Sequence, residues 1–152
     1  MANLETTLAG TEGKEYTGFP YFNSPDAIAL SAKNVGFDML LTGNNHSYDY
    51  GTAGLKRTLS VLKGYKLDTL GTVENKEETR HVIKNVGGVR VGMLNYTFAD
   101  IDENGYVTMN DRTTESAALG LINAFDYDKL SLFYTEVGSE IATMKANGVD
   151  AI

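Results

Sequence analysis

The apolar positions of this chain change period from one segment to the next. Phe37, Met39, Leu40 and Leu41 form a run with little charge, which predicts a short strand over 37–42 covered on both faces, as in a parallel sheet. Leu55, Leu59 and Leu62 then recur at helical steps; Thr52 is the expected cap and Gly64 the expected stop. Leu67-Asp68-Thr69-Leu70, closed by Gly71, reads as the next strand. Upstream, Ser24-Pro25-Asp26 has the chemistry of a helix start: a capping hydroxyl, a proline suited to the first turn and an acid at the positive end. Ile28, Leu30 and Val35 are its expected apolar face, and Gly36 its end. Strand, loop, helix and strand in this order are the signature of an α/β crossover.

Beyond residue 80 the period shortens. "HVIKNVGGVRVGMLNYTF" is two β-rich runs around Gly87-Gly88 and predicts a hairpin. Residues 99–125 are polar and rich in Asp, Asn, Gly and Thr, and a long loop or insertion is expected there. Leu130, Phe133, Val137, Ile141 and Met144 return to three- and four-residue steps, which predicts a last helix from Asp126 to Asn147, ended by Gly148. Val149-Asp150-Ala151-Ile152 reads as the opening of another strand, and Ala2-Asn3-Leu4-Glu5 as a strand fragment. Both ends read as cuts through a larger α/β domain. The expectation is a single truncated domain over 1–152, with exposed sheet edges that favour self-association or low stability.

Composition narrows the chemistry. The length of 152 residues suits one domain with a sizeable core. A net charge of −7 disfavours generic binding to nucleic acid or an anionic membrane, and an anionic substrate would need a metal or a local basic pocket. The absence of cysteine excludes disulfides, thiolate catalysis and zinc-thiolate sites. No apolar run approaches a membrane span, and Met1-Ala2-Asn3-Leu4-Glu5 lacks the basic start and apolar centre of a signal peptide.

The first strand is followed by "TGNNHSYDYG", residues 42–51. A loop at the carboxyl end of a parallel strand is where open α/β folds place ligands. An Asn oxygen and a His nitrogen can ligate a divalent cation, or the His can act on a bound phosphate or water. The same residues also suit a turn: Asn-Asn tolerates left-handed backbone, and Asp49 suits the positive end of the next helix. Glu5 is a candidate bridging carboxylate or a solvated charge. His81 reads as a surface residue. Asp100, Asp102, Glu103 and Asp111 lack the spacing of a calcium-binding hand and read as a solvated loop.

"NLETTL" near the start, "FPYFNSPDAIALSAKNVGFDMLLTGNNHSYDYGTAGLKRTLSVLKGYKLDTLGT" and "GGVRVGMLNYTF" together resemble the bacterial capsule-synthesis family of CapA/PgsA-type poly-γ-glutamate biosynthesis proteins, which look like calcineurin-type metallophosphoesterases. The resemblance covers residues 3–98 and resumes at 126–147 and "NGVDAI". It implies part of a four-layer α/β/β/α sandwich and a site with divalent metal ions (manganese, zinc or iron). It implies that Asn45 and Glu5 are metal ligands. His46 would contact the scissile phosphate or protonate the leaving group, and Asp49 would orient His46 or the loop. Asn44 would shape the turn. The family's aspartate-bearing first strand and its later histidine motifs, which resemble "HWGxE" and "HxH", are absent from these residues.

The function implied is a metal-dependent phosphatase- or hydrolase-like step in capsule synthesis at the outer face of the cell membrane, with other synthesis subunits as partners. The alternative is a non-catalytic surface subunit that binds polyglutamate or its export machinery. A third expectation is that these residues alone are scaffold without activity.

Overall fold

The computed structural model describes residues 1–152 and is a mixed α/β structure. Its first half is a crossover unit. Strand β1 (Ala2–Asn3) leads to helix α1 (Ala27–Asn34), strand β2 (Met39–Leu41), helix α2 (Gly51–Gly64) and strand β3 (Asp68–Leu70). The three strands pair in parallel in the order β1-β2-β3, with Ala2 beside Leu40 and Leu41 beside Leu70. Met39 and Leu40 are both buried, so the central strand is covered on both faces, as its uncharged run predicts. Leu40 shares a core with Leu4, Leu8, Ala29 of α1, Leu62 of α2 and Leu67. Burying a leucine such as Leu62 completely contributes about 1.5–3 kcal/mol.

Each helix ends in the same way. The residue after the cap takes a left-handed conformation, and the next N–H bonds back to the carbonyl five residues earlier. In α1 that residue is Gly36, with Phe37 N–H donating to Ala32 at 3.0 Å. In α2 it is Lys66 and not Gly64, which lies inside the helix; Leu67 N–H donates to Leu62 at 3.0 Å. Burial of both Leu62 and Leu67 supplies the apolar contact that holds a lysine in a backbone region glycine prefers.

Other helix expectations are corrected. Ile28, Leu30 and Val35 are exposed, and α1 buries Ala29 instead. A small residue at the contact lets the short helix approach the sheet closely, and the larger side chains are left outside. Thr52 lies within α2 and not at its cap, with its hydroxyl against the Tyr48 hydroxyl at 2.9 Å.

Strands β4 (His81–Val86) and β5 (Val89–Leu94) form the expected hairpin around Gly87-Gly88. The segment after the last helix runs parallel to β5, with Ala151 beside Val91. Residues 99–125 are not an open loop. After strand β6 (Thr97–Phe98) the chain builds β7 (Asp100–Ile101), β8 (Val107–Met109) and β9 (Arg112–Thr113) as an antiparallel sheet, and β10 (Ala124–Phe125) then pairs in parallel with β6. The alternation Val107, Met109 turns two apolar side chains inward beneath a polar surface. Val107, Met109, Leu121 and Ile122 form a second core with Tyr48, Leu55 and Leu59. The turn from β8 to β9 is Asn110-Asp111, both at positive φ, as a two-residue hairpin of this hand requires.

Helix α3 spans Leu130–Ala146 after a short 3-10 turn. Its predicted face is the inward one: Met144 is fully buried, and Leu130, Phe133, Val137 and Ile141 are half-buried. His81 is also buried, against the reading of it as a surface residue; its Nδ1 lies 2.5 Å from Glu140 on α3. The pairing partner lies fifty-nine residues away, where no local pattern points to it.

Candidate functional site

The loop between β2 and α2 is held in place by asparagines and hydroxyls. The Asn44 side chain donates to Asn3 Oδ1 at 3.0 Å and to the Leu4 carbonyl at 2.9 Å, and its own oxygen accepts from His46 N–H at 3.0 Å. This is an Asx turn whose amide also grips the end of β1. Ser47 Oγ accepts from Asn44 N–H and donates back into the loop toward the Thr42 carbonyl. On the other side, Gly43 N–H donates to Asn95 Oδ1 at 2.8 Å, and Asn95 returns a bond to the Gly43 carbonyl at 3.2 Å. Asn123 in turn donates to the Asn95 carbonyl at 3.2 Å, so β2, β5 and the segment before β10 converge on one loop.

That frame orients His46 and Asp49. The Asp49 carboxylate is buried, and its Oδ2 lies 2.7 Å from His46 Nδ1 and accepts from Phe22 N–H at 2.7 Å. Its other oxygen accepts from Asn110 Nδ2 at 2.8 Å. Asn110 also donates to the Pro20 carbonyl at 2.9 Å. Phe22 meets the imidazole edge-on, with ring centroids 4.4 Å apart. With Nδ1–H donating to Asp49, the proton acceptor of a neutral imidazole is Nε2. Nε2 makes no hydrogen bond within the chain and is not sealed from solvent. The arrangement can accept or deliver a proton at Nε2 and contact an anionic group there.

The other two candidates stand apart from this pair. Asn45 is exposed and its side chain makes no hydrogen bond within the chain. Glu5, also exposed, accepts from Asn3 Nδ2 at 3.0 Å, and so is joined to the loop through Asn3 and Asn44. Their oxygens are chemically suited to a hard or borderline divalent ion. No three His, Asp or Glu side chains converge on one point, however, so these residues fit as corners of a metal site and not as a complete cage. Of the acidic residues in the 99–125 segment, Asp102 is spent on the backbone N–H groups of Asn104 and Tyr106.

Three contributors to the site lay outside the sequence reading: Phe22, Asn95 and Asn110. The turn signal at Asn110-Asp111 is visible in the sequence. Nothing there places it against Asp49, sixty-one residues earlier.

Comparisons with known proteins bear on the whole chain. The family model for bacterial capsule synthesis protein PGA_cap matches residues 1–152. The capsule biosynthesis protein CapA of Bacillus anthracis is 32% identical over 98 residues, covering 59% of this chain and 24% of that protein. The PGA biosynthesis protein CapA of Bacillus subtilis (strain 168) is 32% identical over 76 residues, covering 49% of this chain and 20% of that protein. The chain thus spans about a quarter or less of the length of these relatives. The match of the family model over the full 152 residues shows that the chain belongs to the bacterial capsule synthesis protein PGA_cap family.

Proposed function

We propose that this chain is the part of a poly-γ-glutamate capsule biosynthesis protein that carries one wall of a metal-dependent, phosphatase- or hydrolase-like site. The observation that carries the reading is the buried Asp49 carboxylate holding His46 by Nδ1, with Nε2 left open at the carboxyl end of a parallel strand. His46 is the acid–base group, and Asp49 holds its tautomer and orientation. Glu5 and Asn45 would hold a divalent ion, with further ligands from outside these residues. Such an ion, when bound, supplies Lewis-acid activation of water or of the scissile group. The whole domain in this reading is a four-layer sandwich, acting at the outer face of the membrane beside other capsule-synthesis subunits. Short strands β1 and β3 at the edges of the parallel sheet offer a route to pairing with a second copy.

The test uses the whole protein, with a chromogenic phosphoester as probe and manganese or zinc supplied. His46→Ala is expected to lower turnover by about 10²–10⁴-fold, the usual worth of a general acid or base. Turnover unchanged in His46→Ala overturns the assignment. The second reading is a non-catalytic subunit that binds polyglutamate or its export machinery. The exposed Leu132 and Tyr134 on α3 favour it, since they suit a protein contact. It predicts that cells carrying His46→Ala still make capsule, whereas polar substitutions at Leu132 and Tyr134 abolish it.

A further inference from the structure

Arg112 and Tyr21 stand in the two segments that contact the His46–Asp49 pair. The turn following β8 supplies Asn110 to Asp49, and two residues later it supplies Arg112. The segment 20–22 supplies the Pro20 carbonyl to Asn110 and the Phe22 ring to His46, and between them Tyr21 lies under the Arg112 guanidinium, 4.1 Å from carbon to ring centroid. The stack fixes the plane of a cation in a fold that otherwise has an excess of negative charge.

Of the other three arginines, Arg90 is exposed on the hairpin and two have side-chain partners. Arg57 grips Asp26 with two bonds of 2.7 and 2.9 Å, and Arg80 donates to Asn123 at 2.8 Å. Arg112 has no ion pair, although Asp111 is its neighbour, and its Nε is a buried donor without an acceptor. Buried donors in folded proteins are nearly always satisfied, so an orphan here calls for an explanation. The terminal Nη groups make no internal bond and reach solvent. A planar, stacked guanidinium with its outer edge free is a receptor for an oxyanion, which it can take with two parallel bonds. The Asp49 charge does not fill that role, because its oxygens are already taken by Phe22, Asn110 and His46.

We infer that Arg112, stacked on Tyr21, is the anion-binding residue of this site and takes a carboxylate or phosphate oxyanion of the substrate beside His46. It supplies the local positive charge that an anionic ligand needs against a net charge of −7. The inference rests on the reading above for the chemistry at His46, but its binding step stands on Arg112 alone.

The test is calorimetric titration of this chain with inorganic phosphate and, separately, with a short γ-linked glutamate oligomer. Wild type is expected to bind at least one. Arg112→Gln is expected to weaken that binding by about 10-fold or more, as loss of a bidentate charged contact should. Arg112→Lys should recover only part of it, because an ammonium lacks the planar fork. Binding of phosphate alone assigns a phosphoryl group, and binding of the oligomer alone assigns a carboxylate. Wild-type binding of neither anion, or equal affinity in Arg112→Gln, overturns the inference. If Arg112→Gln fails to fold, wild-type affinity in Arg112→Lys overturns it instead. Loss of turnover in His46→Ala with unchanged anion affinity in Arg112→Gln would defeat this inference and leave the acid–base reading standing.

Discussion

The carboxylate of Asp49 lies 2.7 Å from His46 Nδ1, one turn of chain away, with only 1% and 7% of the two residues exposed. The same carboxylate accepts from Phe22 and Asn110, so it is the node that joins the loop to two distant segments. Asp49→Asn keeps the volume but replaces one acceptor oxygen with a donor. At least one of the three groups facing it is then left unsatisfied, at a cost of about 1–3 kcal/mol. Urea unfolding measures that loss. Nitrogen chemical shifts of the imidazole should show the proton leaving Nδ1, and an unchanged tautomer would mean that Asp49 does not set it.

Asn44 is the second node. Its amide makes two bonds to Asn3 and Leu4, and its oxygen takes the His46 N–H. Asn44→Ala removes all three and should destabilise the chain by about 2–3 kcal/mol, given the usual cost of stranding buried partners. Asn44→Asp keeps the acceptor for His46 but loses both donors, and should rank between wild type and alanine. Amide exchange at Leu4 and His46 reads the two sides separately.

Gly71 closes β3 at φ 114°, where an added Cβ would lie 2.3 Å from the Gly43 backbone nitrogen and from Asn95 Oδ1. No side-chain rotation relieves an overlap with backbone. Gly71→Ala should cost about 2–5 kcal/mol, combining strained backbone with overpacking. It should also displace Asn95 from Gly43, which a chemical-shift change at the Gly43 amide would report. A Gly71→Ala protein with wild-type stability would show that the loop is free to shift away.

Asp26 and Arg57 pair across α1 and α2 with a bidentate bond, which holds the Asp26 carboxyl below its ordinary value of 3.8. A depressed carboxylate contributes stability at pH values above its unfolded pKa, and that stability is lost as pH falls through the lower folded value. Both side chains are more than a third exposed, so the contribution is screened to about 0.2–1 kcal/mol. Asp26→Asn should therefore melt slightly lower at neutral pH and match wild type once the pH is well below 3.8. Thermal melts between pH 2 and 7, about the range a carboxylate pair can affect, check the convergence.

The Tyr96 phenol is pushed up by burial first and then by its bond to Glu136, 2.8 Å away. A raised value means stability that is fully present below the ordinary 10.0 and declines as pH rises beyond it, because only the unfolded chain releases the proton there. Tyr96→Phe should flatten that alkaline decline. Absorbance at the phenolate band should show one tyrosine titrating later than the rest, and its loss in the variant identifies it.

What the sequence alone determined is what local physics controls. A run such as Phe37–Leu41 has one low-energy use in a parallel sheet, and the Gly87-Gly88 turn specifies its own hairpin. Gly36 and Gly148 mark helix ends because the left-handed backbone is nearly free for glycine. The candidate loop was legible for the same reason, since strand, turn residues and helix are contiguous. Tertiary structure decided the rest. Lys66 could replace glycine at a helix end only because Leu62 and Leu67 are buried together, and α1 turned Ala29 inward because a close approach to the sheet outweighs the area of Ile28 and Leu30. His81 became buried by meeting Glu140, and the polar 99–125 segment gained order by capping Leu55 and Leu59. Asn110 and Arg112 reached the loop by the same packing. These are contacts between residues far apart in the chain, whose strength depends on burial that no local pattern encodes.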